Sequence, residues 1–210
     1  MADSTIIEIV EQFKSRDIAK RMAAVSRAAE AGGPESVAIL VKALQDSSWS
    51  LREHAVARTA EAGEAAIPSL VRLLESGVWY ARASAARVLE TIGDERALAA
   101  LARQTGDANV SVSQASEKSL AAVIDRIGPE RALAALAACP AADRGRCSAA
   151  LRKARPALAE RWQAEGGTIV SEDAAAYDLG KDDAAGRLQN LRKAVRAALK
   201  QDTKDDDEEP

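Results

Sequence analysis

The sequence is poor in the residues from which catalytic and metal centres are usually built. Its 210 residues include one histidine, two cysteines, three tryptophans, two tyrosines and one phenylalanine. A single histidine, His54, cannot build the usual zinc or iron site, which needs several nitrogen, sulfur or carboxylate ligands. No glycine-rich phosphate loop follows a strand, and no nucleophile lies in a known catalytic motif. We therefore predict a protein that is not an enzyme and has no metal or cofactor.

Long apolar runs are also missing, and so is the basic, then apolar, then small-residue order of a signal peptide. We expect no membrane contact and a cytoplasmic location. Cys139 and Cys147 do not have the spacing of metal ligands, and we interpret them as free thiols in a reducing compartment. Alternating β-branched residues are scarce, which predicts almost no sheet.

The charge is unevenly distributed along the chain. Residues 202–210 hold six acids and one lysine, a charge of −5, so the net charge of −3 leaves about +2 for residues 1–201. Such an acidic segment with few apolar residues is predicted to be a disordered tail. A body this close to neutral lacks the strong basic footprint expected of a nucleic-acid-binding protein.

What the sequence does contain is a repeat of about 30 residues, rich in alanine and leucine. Arginine and glycine recur at this spacing in three repeats, as Arg21, Arg52 and Arg82 and as Gly32, Gly63 and Gly93, whereas Trp49 and Trp79 recur in two and Ile18 stands at the corresponding position of the first. A fixed period of this length with helical content is typical of an α-solenoid, in which each repeat is a pair of helices, A and B. Alanine suits this fold because it favours helix and lets helices pack closely.

The period predicts an all-α, right-handed α-solenoid with helical caps at both ends. The predicted parts are a capping helix (1–15), four repeats (16–47, 48–77, 78–107 and 108–138), C-terminal capping helices (139–201) and the acidic tail (202–210). The fourth repeat is degenerate, since Asn109 and Val112 stand where the second and third have tryptophan and arginine. Its second half is intact, because GPERALAALA nearly copies GDERALAALA of the third repeat.

The segment VWYARASAARVLETIGDERALAAL, residues 78–101, resembles the short HEAT-like repeats first described in phycobilisome bilin lyases and widespread in bacterial proteins. The resemblance extends over residues 16–138 and is strongest in the second and third repeats. It implies a right-handed superhelix with the B helices on its concave side, and usually a protein-binding role. The family also includes lyase subunits, metal-dependent hydroxylases and DNA glycosylases, so the fold alone does not choose a function.

The recurring arginines Arg21, Arg52 and Arg82 are predicted to be structural. Each lies one turn into a helix A, where it could reach an acid in the preceding connection: Asp17, Asp46 and Glu75. Such contacts would tie neighbouring repeats together, which is how repeat proteins gain stability.

Two other sets of residues are candidates for binding a partner. Lys42, Arg72 and Arg103 recur at intervals of 30 and 31 residues in the B helices and could form a basic row. If the row faces outward, it suits an anionic partner; the alternative is an ordinary solvated helix face. Trp49, Trp79 and Tyr80 begin the A helices, and they could either pack between repeats or form a binding edge.

We interpret the whole as a non-catalytic scaffold that binds another protein through the B-helix surface and the aromatic edge. A nucleic-acid-binding solenoid and a lyase-type subunit that needs a partner are the two alternatives. A last amphipathic basic helix, near residues 187–201, has a pattern also found in helices that bind a partner or a membrane surface. It has no aromatic anchor and precedes the acidic tail, which argues against a membrane, so we expect it to cap the stack. The sequence identifies neither the partner nor the oligomeric state.

Overall fold

The protein was analysed as a computed structural model, which describes residues 2–164. Over this range the chain is helical and contains no strand. The α-helices are α1 Ala2–Phe13, α2 Ile18–Ala31, α3 Gly33–Ala43, α4 Trp49–Glu61, α5 Ile67–Ser76, α6 Trp79–Ile92, α7 Leu98–Gln104, α8 Val110–Ile127, α9 Pro129–Ala137, α10 Arg144–Ala154 and α11 Pro156–Ala164. The predicted last helix, the acidic tail and the end of the segment 139–201 lie outside the described residues.

Helices two positions apart along the chain pack against each other. The A helices α2, α4, α6 and α8 contact one another in that order, and so do the B helices α3, α5, α7 and α9. Helix α1 packs on α2 and α3 at one end, and α10 packs on α7, α8 and α9 at the other. This nearest-neighbour stacking is consistent with the predicted α-solenoid, whereas the hand of its superhelix stays a prediction.

The buried core positions recur with the same period of about 30 residues as the sequence. Leu51 of α4, Ala81 of α6 and Val112 of α8 each lie three residues after the N-cap of their helix, so they occupy equivalent positions, and each is fully buried. Asn109 is itself the N-cap of α8, so the predicted equivalence of Asn109 with the tryptophans was wrong by one residue. The B helices repeat the same pattern, with Leu40, Leu70 and Leu101 buried at intervals of 30 and 31 residues. These positions are filled by alanine, valine and leucine, so the helices pack closely without aromatic residues there.

The A helices begin and end on recognisable capping residues. Side chains of Asp17, Ser48 and Asn109 accept hydrogen bonds from backbone N–H groups in the first turns of α2, α4 and α8. Helix α6 is the exception, because it is preceded by Val78, which has no side-chain acceptor. At its other end Gly93 adopts the left-handed conformation, φ 70°, and its N–H bonds to the carbonyl of Leu89.

We expect Gly93→Ala to destabilise the fold more than Gly63→Ala, although both glycines occupy equivalent turn positions. Both have positive φ, 70° and 58°, which costs an alanine about 1–2 kcal/mol. A Cβ at Gly63 would meet no atom within 4 Å, whereas at Gly93 it would overlap the Arg126 side chain, which bonds the Thr91 carbonyl. Chemical denaturation of the two variants measures the difference. In an Arg126→Ala background the two costs should become equal, and a persistent difference would contradict this explanation.

Two irregularities follow from local sequence. Helix α8 has 18 residues and α6 has 14, because the glycine that ends α8, Gly128, comes later in its repeat than Gly93 does in the third. The first C-terminal helices are separated at Pro156, since α10 ends at Ala154 and α11 begins at Pro156. Proline lacks the N–H that would continue α10, but it is well suited to the first position of a new helix.

Candidate partner-binding surface

Most charged side chains of the A helices form ion pairs between successive repeats. Four such pairs join an A helix to a neighbouring element of the stack: Arg27–Glu8, Arg87–Glu53, Lys118–Glu90 and Arg155–Asp125. Three more link successive repeats near the B helices and the last helix: Arg96–Glu64, Arg131–Glu95 and Arg161–Glu130. The hydrogen bond from Arg87 lowers the pKa of the Glu53 carboxyl below its usual range. These charges hold repeats together and are therefore poor candidates for binding a partner.

The recurring arginines also join repeats, but their acids differ from the predicted ones. Arg21 pairs with Asp46, and Arg82 pairs with Asp107 at 2.8 Å, in each case an acid 25 residues further along the chain. The predicted partners in the preceding connections were wrong. Asp17 instead caps α2, and Glu75 pairs with Arg103. In the preceding connections these arginines contact backbone atoms only. Arg52 donates to the carbonyl oxygens of Asp46 and Ser47, and Arg82 donates to that of Gly77.

The direction of the pairing has a geometric reason. Asp46 and Asp107 lie in the connections that enter the next helix A, and each also accepts the backbone N–H two residues later, that of Ser48 or Asn109. One carboxylate therefore shapes the connection and receives an arginine from the previous repeat. The sequence shows an aspartate three residues before the first residue of helix A, as in Asp46 before Trp49 and Asp107 before Val110. Sequence reasoning did not connect these aspartates with the arginines of the previous repeat.

Lys42 and Arg72 are exposed cations, and within the described residues neither forms an ion pair. Arg72 donates only to the hydroxyl of Ser69 on its own helix, at 3.2 Å. Both side chains line one open cavity of about 620 Å³ between α3 and α5, which we call the B-helix groove. Its lining residues are Phe13, Ala38, Val41, Lys42, Gln45, Asp46, Ser69, Arg72, Leu73, Ser76 and Gly77.

The B-helix groove combines positive charge with an apolar floor. Its single acid, Asp46, is already paired with Arg21, so the charges of Lys42 and Arg72 are not neutralised from within the groove. Phe13, Val41 and Leu73 supply apolar surface, while side-chain amide and hydroxyl groups supply hydrogen-bonding partners. Such a lining is suited to an anionic ligand that also has apolar groups.

Arg103, the third residue of the predicted basic row, has a different environment. It is half-buried, and its guanidinium pairs with Glu75 of α5 and with Asp143 at 2.9 Å. Glu75 is one repeat back along the stack, and Asp143 immediately precedes α10. Arg103 therefore bridges three neighbouring elements, and the groove does not include it.

The tryptophans at the start of α4 and α6 lie on the surface. Trp49 is 67% exposed and Trp79 is 49% exposed, and within residues 2–164 no ring contact joins the two. Tyr80 is partly buried; its ring lies edge-on to Trp79, and the Arg52 guanidinium lies 4.5 Å from the ring centre. Of the two interpretations, packing between repeats therefore applies to Tyr80. The two tryptophans provide exposed apolar surface.

Two further groups of potentially reactive side chains lie elsewhere. His54 Nε2 is 2.8 Å from the Ser26 hydroxyl, a contact between α4 and α2 that the sequence did not suggest. Cys139 and Cys147 are buried free thiols with their sulfur atoms 3.5 Å apart. Burial raises the pKa of Cys147 to about 12, so this thiol is protonated and unreactive at neutral pH.

Nothing in the described range resembles a metal centre. Among residues 2–164, no group of three or more histidine, cysteine, aspartate or glutamate side chains is placed to hold a metal ion. Within the same range no helix has the length and apolar character needed to cross a lipid bilayer.

Comparison with known proteins identifies the repeat. A family model described as HEAT repeats matches residues 6–86, which extend from α1 through most of α6. No curated protein matches the chain.

Proposed function

Since the chain is a HEAT-like repeat protein, we propose that it is a non-catalytic scaffold that binds another protein through its B-helix groove. The observation that carries this proposal is that Lys42 and Arg72, two exposed cations with no ion pair in the described residues, line the same groove. Many arginines of the stack, such as Arg21 and Arg103, are instead paired with acids of neighbouring elements. HEAT repeats commonly mediate contacts between proteins, and this groove provides a surface on which such a contact could form.

Several features favour a partner segment that is acidic and partly apolar. Positive charge steers an acidic segment towards the surface and raises its rate of association. Burial of partner side chains against Phe13, Val41 and Leu73 would then supply affinity, at roughly 25 cal/mol for each Å² removed from water. A location in the cytoplasm and a bacterial source remain part of the same proposal.

The test is a charge reversal in the B-helix groove. We expect Lys42→Glu together with Arg72→Glu to reduce capture of the native partner at least tenfold, because two attractive charges become repulsive ones. The measurement is quantitative mass spectrometry after affinity capture by the tagged full-length chain from its native cells. Both positions are exposed, so the melting temperature and circular dichroism spectrum should stay close to those of the wild type.

A matched control changes the net charge equally outside the groove. Lys20→Glu with Lys153→Glu reverses two exposed cations of α2 and α10 that form no ion pair in the described residues. Capture by this control should equal that of the wild type. Equal loss in both double variants, or no loss in either, would contradict the groove as the binding surface. Binding that falls steeply with salt and disappears after nuclease treatment would indicate nucleic acid instead.

A further inference from the structure

Arg52 lacks the acid that its two equivalents possess. Arg21 pairs with Asp46 and Arg82 with Asp107, each 25 residues further along the chain. The position 25 residues after Arg52 is Gly77, which has no side chain to offer. An aspartate thus pairs with the arginine at the junction of α2 with α4 and at the junction of α6 with α8. At the junction between them, that of α4 with α6, within the described residues no aspartate is present to pair with Arg52.

The contacts of Arg52 leave much of its guanidinium available. Its Nη1 donates to the carbonyl oxygens of Asp46 at 2.8 Å and Ser47 at 2.9 Å, and its guanidinium carbon lies over the Tyr80 ring, 4.5 Å from the ring centre. Within the described residues no carboxylate pairs with it. These contacts hold the side chain in one orientation, so little conformational entropy is lost when a further group binds to it.

The surroundings of Arg52 are apolar and exposed. Trp49 and Trp79 lie on either side of the junction, and Val78 between the repeats is 50% exposed. Val78 also leaves α6 without a side-chain cap, whereas Ser48 and Asn109 cap the helices before and after it. This junction thus presents a cation and large apolar side chains, while its neighbours present carboxylate and cap oxygens of their own.

We propose that Arg52, with Tyr80 and the flanking Trp49 and Trp79, binds an aspartate or glutamate side chain of the partner protein. The partner's carboxylate would pair with Arg52 in the way that Asp46 pairs with Arg21, while an adjacent apolar residue packs on the tryptophans. This inference rests on the proposed function and specifies the partner as an acidic segment interspersed with apolar residues. The site adjoins the B-helix groove, because Asp46 lines that groove and its carbonyl oxygen accepts a hydrogen bond from Arg52.

The test uses a capped peptide, acetyl-Glu-Leu-Glu-Leu-Glu-amide, and its counterpart with glutamine in place of each glutamate. Each is titrated into the ¹⁵N-labelled full-length chain, and the indole N–H signals of the tryptophans report binding. We expect the glutamate peptide to shift the signals of exposed Trp49 and Trp79 but not that of buried Trp162. A carboxylate accepts a stronger hydrogen bond from a guanidinium than an amide oxygen does, so the glutamine peptide should bind at least tenfold more weakly.

Variants connect this preference to Arg52. Arg52→Gln should remove the difference between the two peptides, whereas Arg58→Gln on the same helix, which loses only a surface pair with Glu61, should keep it. Equal binding of the two peptides to the wild-type chain would overturn the proposal without any variant. The Lys42→Glu, Arg72→Glu chain separates this result from the groove: if the indole response persists there, the Arg52 site is independent of the B-helix groove.

Discussion

Replacing Arg82 with alanine should lower the free energy of unfolding by about 3 kcal/mol, because it strands a half-buried carboxylate. Asp107 keeps only 10% of its side chain exposed, and Arg82 keeps 22%. Arg82 also donates to the Gly77 carbonyl at 2.8 Å, so its loss removes contacts with two connections at once. Urea denaturation followed by circular dichroism measures the change.

Two further variants test whether this energy belongs to the pair. Asp107→Asn retains an oxygen that can accept the Asn109 N–H, so it removes the ion pair while preserving the connection. In a double-mutant cycle Arg82→Ala and Asp107→Asn should show a coupling energy of roughly 1–3 kcal/mol. Arg58→Ala, which breaks an exposed pair within one helix, should cost less than about 0.5 kcal/mol. Additive effects of the first two variants would mean that the pair does not join the repeats.

Gly77→Asp should destabilise the protein by about 2 kcal/mol, although the repeat pattern suggests a gain. By analogy with Asp46 and Asp107, an aspartate here would pair with Arg52. A Cβ at residue 77, however, would lie 2.6 Å from the Leu73 carbonyl oxygen and 2.9 Å from a Leu73 side-chain carbon. The backbone must move to relieve this contact, and the Gly77 N–H that bonds to Leu73 at the end of α5 moves with it.

Alanine at the same position separates the steric cost from any ion pair. Gly77→Ala should be destabilising to a similar degree, because the clash involves Cβ alone. Gly106→Ala is the matched control, since its Cβ would approach no atom closer than 3.9 Å; it should be neutral or stabilising by less than about 1 kcal/mol. Thermal melting of the three variants gives the comparison. A stabilised Gly77→Asp protein would show that the repeat rule outweighs the local packing.

The binding residues show how far spacing can be used to predict a surface. Lys42, Arg72 and Arg103 recur regularly, and the spacing placed all three on equivalent turns of the B helices. Regular spacing predicts which face of the helix a residue occupies, but it does not predict which acid comes within reach. Lys42 and Arg72 line a groove, whereas Arg103 is paired with Glu75 and with Asp143, 40 residues away.

The aromatic edge shows a similar limit. The sequence left open whether Trp49 and Trp79 pack between repeats or face solvent. Both are the first residue of a helix A. A side chain at that end of the helix lies at the edge of the array, where neighbouring repeats do not cover it. Tyr80, one residue further on, is turned by about 100° around the helix axis, and this places it beside Arg52.

The sequence by itself determined the helices, their order and the buried positions, because these depend on local propensity and on a period that one repeat imposes on the next. It also contained the signal for the Arg52 site, since the chain directly before α6 has Ser76 and Gly77 and no acid, whereas the neighbouring connections have Asp46 and Asp107. Only the tertiary structure decided that Arg21 and Arg82 reach the acid after them and that Arg52 has none within the described residues. Pairing depends on the offset and rotation between stacked helices, and these arise from the packing of side chains that are far apart in the chain.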